Sequence, residues 1–262
     1  MNALRRTISG LAVLLAAGAL TTVALPAQAE APQAGSTPSG PQGDTWASIA
    51  KLPDWQGIWE LNGQNGGGLA AARPAPPKLT PAAQAKLDAY RKAQKVGEDL
   101  QPDQANCLPP GMPQIMTQPY PIEFLYSPGK IVIEIEAYMQ DRHIYTDGRS
   151  HPKDPDPLFQ GHSIGHWEGD TLVVDTVGFV PWSQISPGIG HSDQMHIVER
   201  IRRTGPDFMQ IEQTITDPKV LGEPWTVVHS YKLVKDDLRE YECEQNNHDS
   251  ADAEGRPGER VK

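Results

Sequence analysis

The fold this sequence predicts is all-β: an antiparallel up-and-down barrel of about eight to ten strands with one accessory helix. Three observations carry that expectation. From residue 120 the hydrophobic period switches to two, as in Ile131, Ile133 and Ile135. Extended runs follow one another across tight turns such as Pro128-Gly129, Gly169-Asp170 and Gly205-Pro206-Asp207. No helical crossover lies between them, so neighbouring strands should pair antiparallel. The 262 residues include 24 Gly and 25 Pro, an excess that argues against long helices. A meander of this length tends to close and remove its edges, and a barrel of about eight strands has room for one small ligand.

The elements follow in order. Residues 1–29 read as a secretory signal peptide: Arg5 and Arg6 at the front, an apolar run from Leu11 to Leu20, and Ala27-Gln28-Ala29 as the cleavage site. The run is too short to span a bilayer. The mature chain is therefore expected to start at Glu30, in the periplasm or outside the cell, with no stable membrane anchor. Loss of the two arginines takes the formal charge from −10 to −12, which disfavours nucleic acid and anionic lipid as partners. The chain has only two cysteines, Cys107 and Cys243. In an oxidising compartment a disulfide between them is expected, contributing about 4–5 kcal/mol in the chain-entropy treatment. Two buried thiols are the alternative; without a C-x-x-C spacing, a metal or redox pair is not indicated.

Residues 30–48 are rich in Pro, Gly and Ser and read as a flexible linker. Residues 49–247 form the single barrel domain, and 248–262 a disordered tail. Trp55 to Leu61 is the first strand. Thr80 is suited to cap a helix over 81–96, with Pro81 at its first position and Gly97 at its stop. Strands are then expected over Glu123–Tyr126, Ile131–Glu136, His143–Tyr145, the run ending at Glu168, Leu172–Val177, Met195–Arg203, Phe208–Thr216, Trp225–Val234 and Leu238–Cys243.

Gly161-His162-Ser163-Ile164-Gly165 matches G-x-S-x-G, the nucleophile elbow of α/β-hydrolases. That motif needs a strand before it and a helix after it. Here Pro152, Pro155 and Pro157 precede it and the Gly169-Asp170 hairpin follows, so the motif reads as a strand entrance. Six of the eight histidines lie between residues 143 and 196. On a helix, His162 and His166 would suit a metal. In a strand such a pair lies about 13 Å apart, so a metal-dependent hydrolase built on the clustered His is the lesser reading.

Strand parity is the sharper clue. Glu199 shares a face with Ile197 and Ile201, Gln213 with Met209, Ile211 and Ile215, and His229 with Trp225, Val227, Tyr231 and Leu233. Three successive strands each place one polar residue on the apolar face. If the hairpin register pairs residues summing to 412, Glu199 faces Gln213. A cavity lined by Glu199, Gln213 and His229 is one consequence; a satisfied buried network that only fixes register is the other. As a catalytic set the candidates are Glu199, His229, His162 and Asp175, the last also read as facing inward. Gln213, Tyr231, Trp225, Arg142, Tyr145 and His191 are the candidate ligand contacts, with Arg142 and Tyr145 at the mouth beside Arg149 and His151.

Gly57-Ile58-Trp59 resembles the G-x-W of the first strand in lipocalin-like (calycin) barrels. The blocks CLPPGMP, PYPIEFL, DRHIYTDGRSHP, GHSIGHWEGDTLVVDTVGF, HSDQMHIVERIRR, TITDP and EYECEQN together resemble a widespread family of secreted bacterial proteins. The resemblance covers roughly residues 105–247 and implies a lipocalin-like barrel and an exported setting. It brings no activity and no catalytic residues. Two functional readings stand side by side: a secreted barrel that binds a small, partly apolar molecule, and a periplasmic lyase, isomerase or hydrolase using a Glu/His acid–base pair. The sequence names no cofactor.

Overall fold

The computed structural model describes residues 40–63, 74–96 and 107–242. Its centre is a closed barrel of nine strands. These are β1 (Ile58–Leu61), β2 (Ile122–Ser127), β3 (Lys130–Ile135), β4 (Gln140–Tyr145), β5 (His162–Glu168), β6 (Thr171–Val177), β9 (His196–Gly205), β10 (Phe208–Thr216) and β11 (Trp225–Val234). Around the barrel they run β1-β11-β10-β9-β6-β5-β4-β3-β2, and β1 pairs with β2 to close it. A small hairpin, β7 (Gln184–Ser186) with β8 (Ile189–Gly190), is inserted between β6 and β9.

The barrel differs from the expected meander at one pair. β4 and β5 run parallel, through the two rungs Ile144↔Ser163 and Tyr145↔Ile164. The cause is the Pro-rich 146–161 connection, which is long enough to carry the chain back along the barrel before β5 begins. The two-residue turns form where expected: Pro128-Gly129 joins Ser127 to Lys130, and Gly169-Asp170 joins Glu168 to Thr171. The β9–β10 register pairs Glu199 with Gln213.

Two helices flank the barrel. α1 (Trp46–Ile49) is a single turn capped by Thr45, and α2 (Pro81–Lys95) is capped by Thr80, whose hydroxyl accepts from the Ala83 amide. α1 corrects part of the expected linker. Residues from Gly40 onward are held against the barrel, where the Gln42 side chain accepts from the Trp167 amide and donates to the Trp167 carbonyl. The final strand expected from Leu238 does not form over the described residues. Arg239 instead donates its amide to Glu136, and the Tyr241 ring packs between Tyr120 and Tyr138. Residues 1–39 and 243–262 lie outside the described residues, so the signal, most of the linker and the tail are not described. Cys107 is not a free thiol; Cys243, its expected partner, is likewise outside.

Alternation puts Ile131, Ile133, Ile135, Ile197, Ile201, Met209, Ile211 and Ile215 inside. One end of the barrel is plugged by Trp55, Trp59, Trp167 and Phe124, with Trp55 centred 4.8 Å from Trp167 and 5.1 Å from Phe124. No helix among the described residues is long and apolar enough to cross a membrane.

Candidate functional site

Trp59 pairs with Leu233 near the end of β11, whereas Trp225 begins that strand, so the end marked by Trp225 lies opposite the tryptophan plug. A cavity of about 440 Å³ opens there. Ile215, Trp225, Val227, Gln213 and His229 line it from the barrel, and the 3₁₀ turn at Gln114–Thr117 and Ile185 of the β7–β8 hairpin line it from outside. Its walls are mainly apolar, with His229 and Gln213 as polar groups on the inner face.

A chain of hydrogen bonds runs from this cavity into the core and fixes the orientation of each member. Arg142 is fully buried and grips both oxygens of the equally buried Glu199. Its Nη1 lies 3.0 Å from Oε1, and its Nη2 donates to Oε2. The same guanidinium donates to Thr176 at 2.9 Å and to Ser163 at 3.3 Å. A carboxylate only accepts, so the Gln213 amide must turn its Nε2 to Glu199 Oε1, at 2.9 Å. That leaves Gln213 Oε1 as the acceptor facing His229 Nε2 at 3.0 Å. His229 therefore carries its proton on Nε2 and keeps the Nδ1 lone pair. Burial lowers its pKa, and the Glu199 charge offsets this in part.

The expected site residues do not gather in one place. His229, Gln213 and Trp225 line the cavity together. Glu199 faces inward but lies beneath them, its carboxylate occupied by Arg142 and Gln213, and so does not itself line the cavity. Tyr231 is buried below the cavity and donates its hydroxyl to the Met116 carbonyl at 2.8 Å, which ties the capping turn to the barrel. Arg142, expected at the mouth, is in the core. Its neighbour two residues on, Ile144, is fully buried on the same face, and that parity was the signal in the sequence.

The outer wall gathers a second set. Asp175, expected to face inward, points outward. Its Oδ1 meets His196 Nε2 at 2.6 Å and His151 Nε2 at 3.1 Å, and His151 Nδ1 meets His162 Nδ1 at 2.8 Å. Burial alone would raise the Asp175 carboxyl, but the two imidazoles outweigh it and hold the group well below the usual carboxylate range. Burial and the charges of His151 and Arg149 lower His162. Tyr145 stacks on the His162 ring at 5.6 Å, outside the barrel. His191 belongs to neither group; its nitrogens lie 2.7 and 2.8 Å from the carbonyls of Ser192 and Val180, bracing the loop after β8.

Ser163 is buried against Arg142 and Thr176 with a helix neither before nor after it, so the G-x-S-x-G run is no nucleophile elbow. Its glycines are explained by packing. A Cβ at Gly161 would lie 2.8 Å from Phe179, Thr176 and the Val177 carbonyl, and one at Gly165 2.8 Å from Ile144. No group of three or more His, Cys, Asp or Glu side chains among the described residues is arranged to hold a metal ion; of the clustered histidines, His151 and His196 meet Asp175, His162 meets His151, and His166 meets Glu168. No protein-family model matches the chain, and no curated protein shows significant similarity to it.

Proposed function

We propose that the protein is a secreted small-molecule-binding barrel of the lipocalin-like kind its sequence blocks resemble, with its ligand in the cavity at the Trp225 end. One observation carries this reading. A cavity of about 440 Å³ with mainly apolar walls ends on a polar pair whose orientation is fixed from behind. Ligand pockets commonly combine apolar walls with a few oriented polar groups, in volumes of about 300–1,000 Å³. The ligand fills the apolar volume and donates one hydrogen bond to His229 Nδ1. Glu199 serves as the anchor of that geometry, because Arg142 and Gln213 already occupy its oxygens.

The test is binding of a neutral apolar fluorophore, N-phenyl-1-naphthylamine, to the purified mature chain. Native mass spectrometry of the exported protein would identify what co-purifies. Val227→Trp fills the cavity and should weaken fluorophore binding by at least about tenfold. His229→Phe keeps the ring but removes the acceptor, and should spare the fluorophore while weakening a hydroxyl-bearing natural ligand. Equal affinity in the wild type and Val227→Trp would overturn the reading.

A further inference from the structure

The cavity at the Trp225 end carries one polar side chain that a contact at His229 leaves unused. Gln114 lines the cavity from the 3₁₀ turn and is only 9% exposed. Its side-chain amide has no hydrogen-bond partner among the described residues. Its neighbours Thr117 and Gln118 donate to the Gln114 backbone carbonyl, at 2.7 and 3.5 Å, and not to the side chain. The other polar groups of the lining from outside the barrel are open to water: Thr117 is exposed, and Gln118 and Ser186 are half-buried. An amide held as Gln114 is costs stability until something pairs with it.

The turn cannot carry Gln114 away to water. The Ile115 amide donates to the Gly111 carbonyl and the Met112 amide to the Phe159 carbonyl, both at 2.8 Å. Tyr231 holds the Met116 carbonyl from inside the barrel, and the side chains of Ile115 and Met116 are buried in the core. The Gln114 amide is therefore positioned before any ligand arrives, which lowers the ordering cost of binding.

Charge narrows the ligand further. No Lys, Arg, Asp or Glu lines the cavity among the described residues. Burial lowers the His229 pKa, so that ring is neutral at neutral pH, and the Glu199 charge behind Gln213 is matched by Arg142. A charged group entering the cavity would leave water without gaining a counter-ion. The Gln114 side chain presents a donor and an acceptor side by side. A ketone satisfies only its nitrogen. A carboxylate does the same and brings a charge, and an ammonium satisfies only its oxygen. A carboxamide pairs with both atoms at once and is neutral.

We infer that the ligand of this cavity is a neutral carboxamide, open-chain or cyclic, with an apolar body, its amide paired edge to edge with Gln114. This assignment rests on the cavity being the binding site, and it makes Gln114 the residue that sets specificity. The apolar body lies against Ile185, Ile215 and Val227.

Octanamide is the probe, because its flexible chain adapts to the apolar walls. Nonan-2-one, octanoate and octylammonium are the matched controls. Each displaces N-phenyl-1-naphthylamine from the full mature chain at neutral pH. Octanamide should compete at least about tenfold better than the ketone and than either ion. In Gln114→Leu the advantage of octanamide over nonan-2-one should vanish, both affinities being read in the same variant. Gln114→Glu should reverse the order and favour octylammonium over octanamide by about tenfold; with the wild-type series it decides the matter if Gln114→Leu does not fold. Fluorophore binding in the wild type with octanoate or nonan-2-one competing as well as octanamide overturns the carboxamide assignment and leaves the cavity reading standing. An octanamide advantage that survives Gln114→Leu also overturns the assignment. Absence of fluorophore binding in the wild type overturns both.

Discussion

Arg142 and Glu199 set the chemistry of the barrel interior. A buried ion pair is costly to form and costlier to break, because removing one partner leaves an uncompensated charge away from water. Glu199→Gln should therefore destabilise the protein by about 3–5 kcal/mol, read as a lower urea midpoint at unchanged slope. Replacing both residues by apolar side chains of similar volume should recover most of that loss. Asp175 gives the outer wall a pH dependence of definite sign. Its carboxyl is held below the ordinary value in the folded chain, so the unfolded chain binds more protons as the solution is acidified. The stability advantage of the wild type over Asp175→Asn should be full above the ordinary Asp pKa of about 3.9 and shrink as pH falls through the lower folded value. Denaturant titrations from pH 7 to pH 2 measure it; an advantage that grew with acid would contradict the assignment.

The barrel strands are not joined equally. β9 and β10 pair over nine residues from Met209 and Phe208 to Thr216, and β10 and β11 over eight. The β4–β5 and β1–β2 seams have only two rungs each. The side chains bridge these short seams. Across the first, Arg142 of β4 reaches Ser163, Thr176 and Glu199, while Tyr145 stacks on His162. Across the second, Trp55 packs on Phe124, and Tyr126 donates to the Pro53 carbonyl at 2.9 Å. The buried ion pair thus serves as a cross-strand staple where backbone pairing is short. Gly161 sets the entry to β5, with φ at +66° and no space for a side chain. Gly161→Ala should cost more than about 1 kcal/mol, measurable as a lower melting temperature. Ser163→Ala should cost about 1–2 kcal/mol, because it removes hydrogen bonds rather than a nucleophile.

At the scale of the whole molecule, the barrel is a long six-stranded ladder, β5-β6-β9-β10-β11-β1, closed by the β2-β3-β4 meander through two weak seams. Hydrogen exchange should reflect this. Amides at Ile58, Trp59, Ile144 and Tyr145 should exchange faster than those of Ile197–Ile201 and Ile211–Ile215, because opening a two-rung seam does not require the ladder to open. Equal protection across the barrel would count against the description. The plugged end and the open end also differ. Trp59→Ala removes part of the plug and should cost about 3–5 kcal/mol, whereas a change at the rim, Trp225→Ala, should cost less and act mainly on binding.

The sequence by itself determined most of the barrel strands, the tight turns and the α2 cap, while the Glu199–Gln213 register was an assumption that the β9–β10 pairing meets. Each of the determined features is local: a period of two, a Gly-Asp or Pro-Gly pair, and a Thr-Pro start; the register beside the β9–β10 turn shifts by one residue between Phe208 and Met209. It also determined that Glu199, Gln213 and His229 share an apolar face, because Ile197, Ile211 and Val227 beside them leave that face no other direction. Asp175 could not be placed in the same way. Leu172, Val173 and Val174 are all buried, so β6 is apolar on both faces and its parity is ambiguous. The parallel β4–β5 pair, the docking of His151 onto Asp175, and the division of Glu199 from the cavity were decided only by tertiary structure. They depend on where a sixteen-residue loop crosses the barrel, on which outward side chains it brings together, and on which of several inward polar groups reaches the others first.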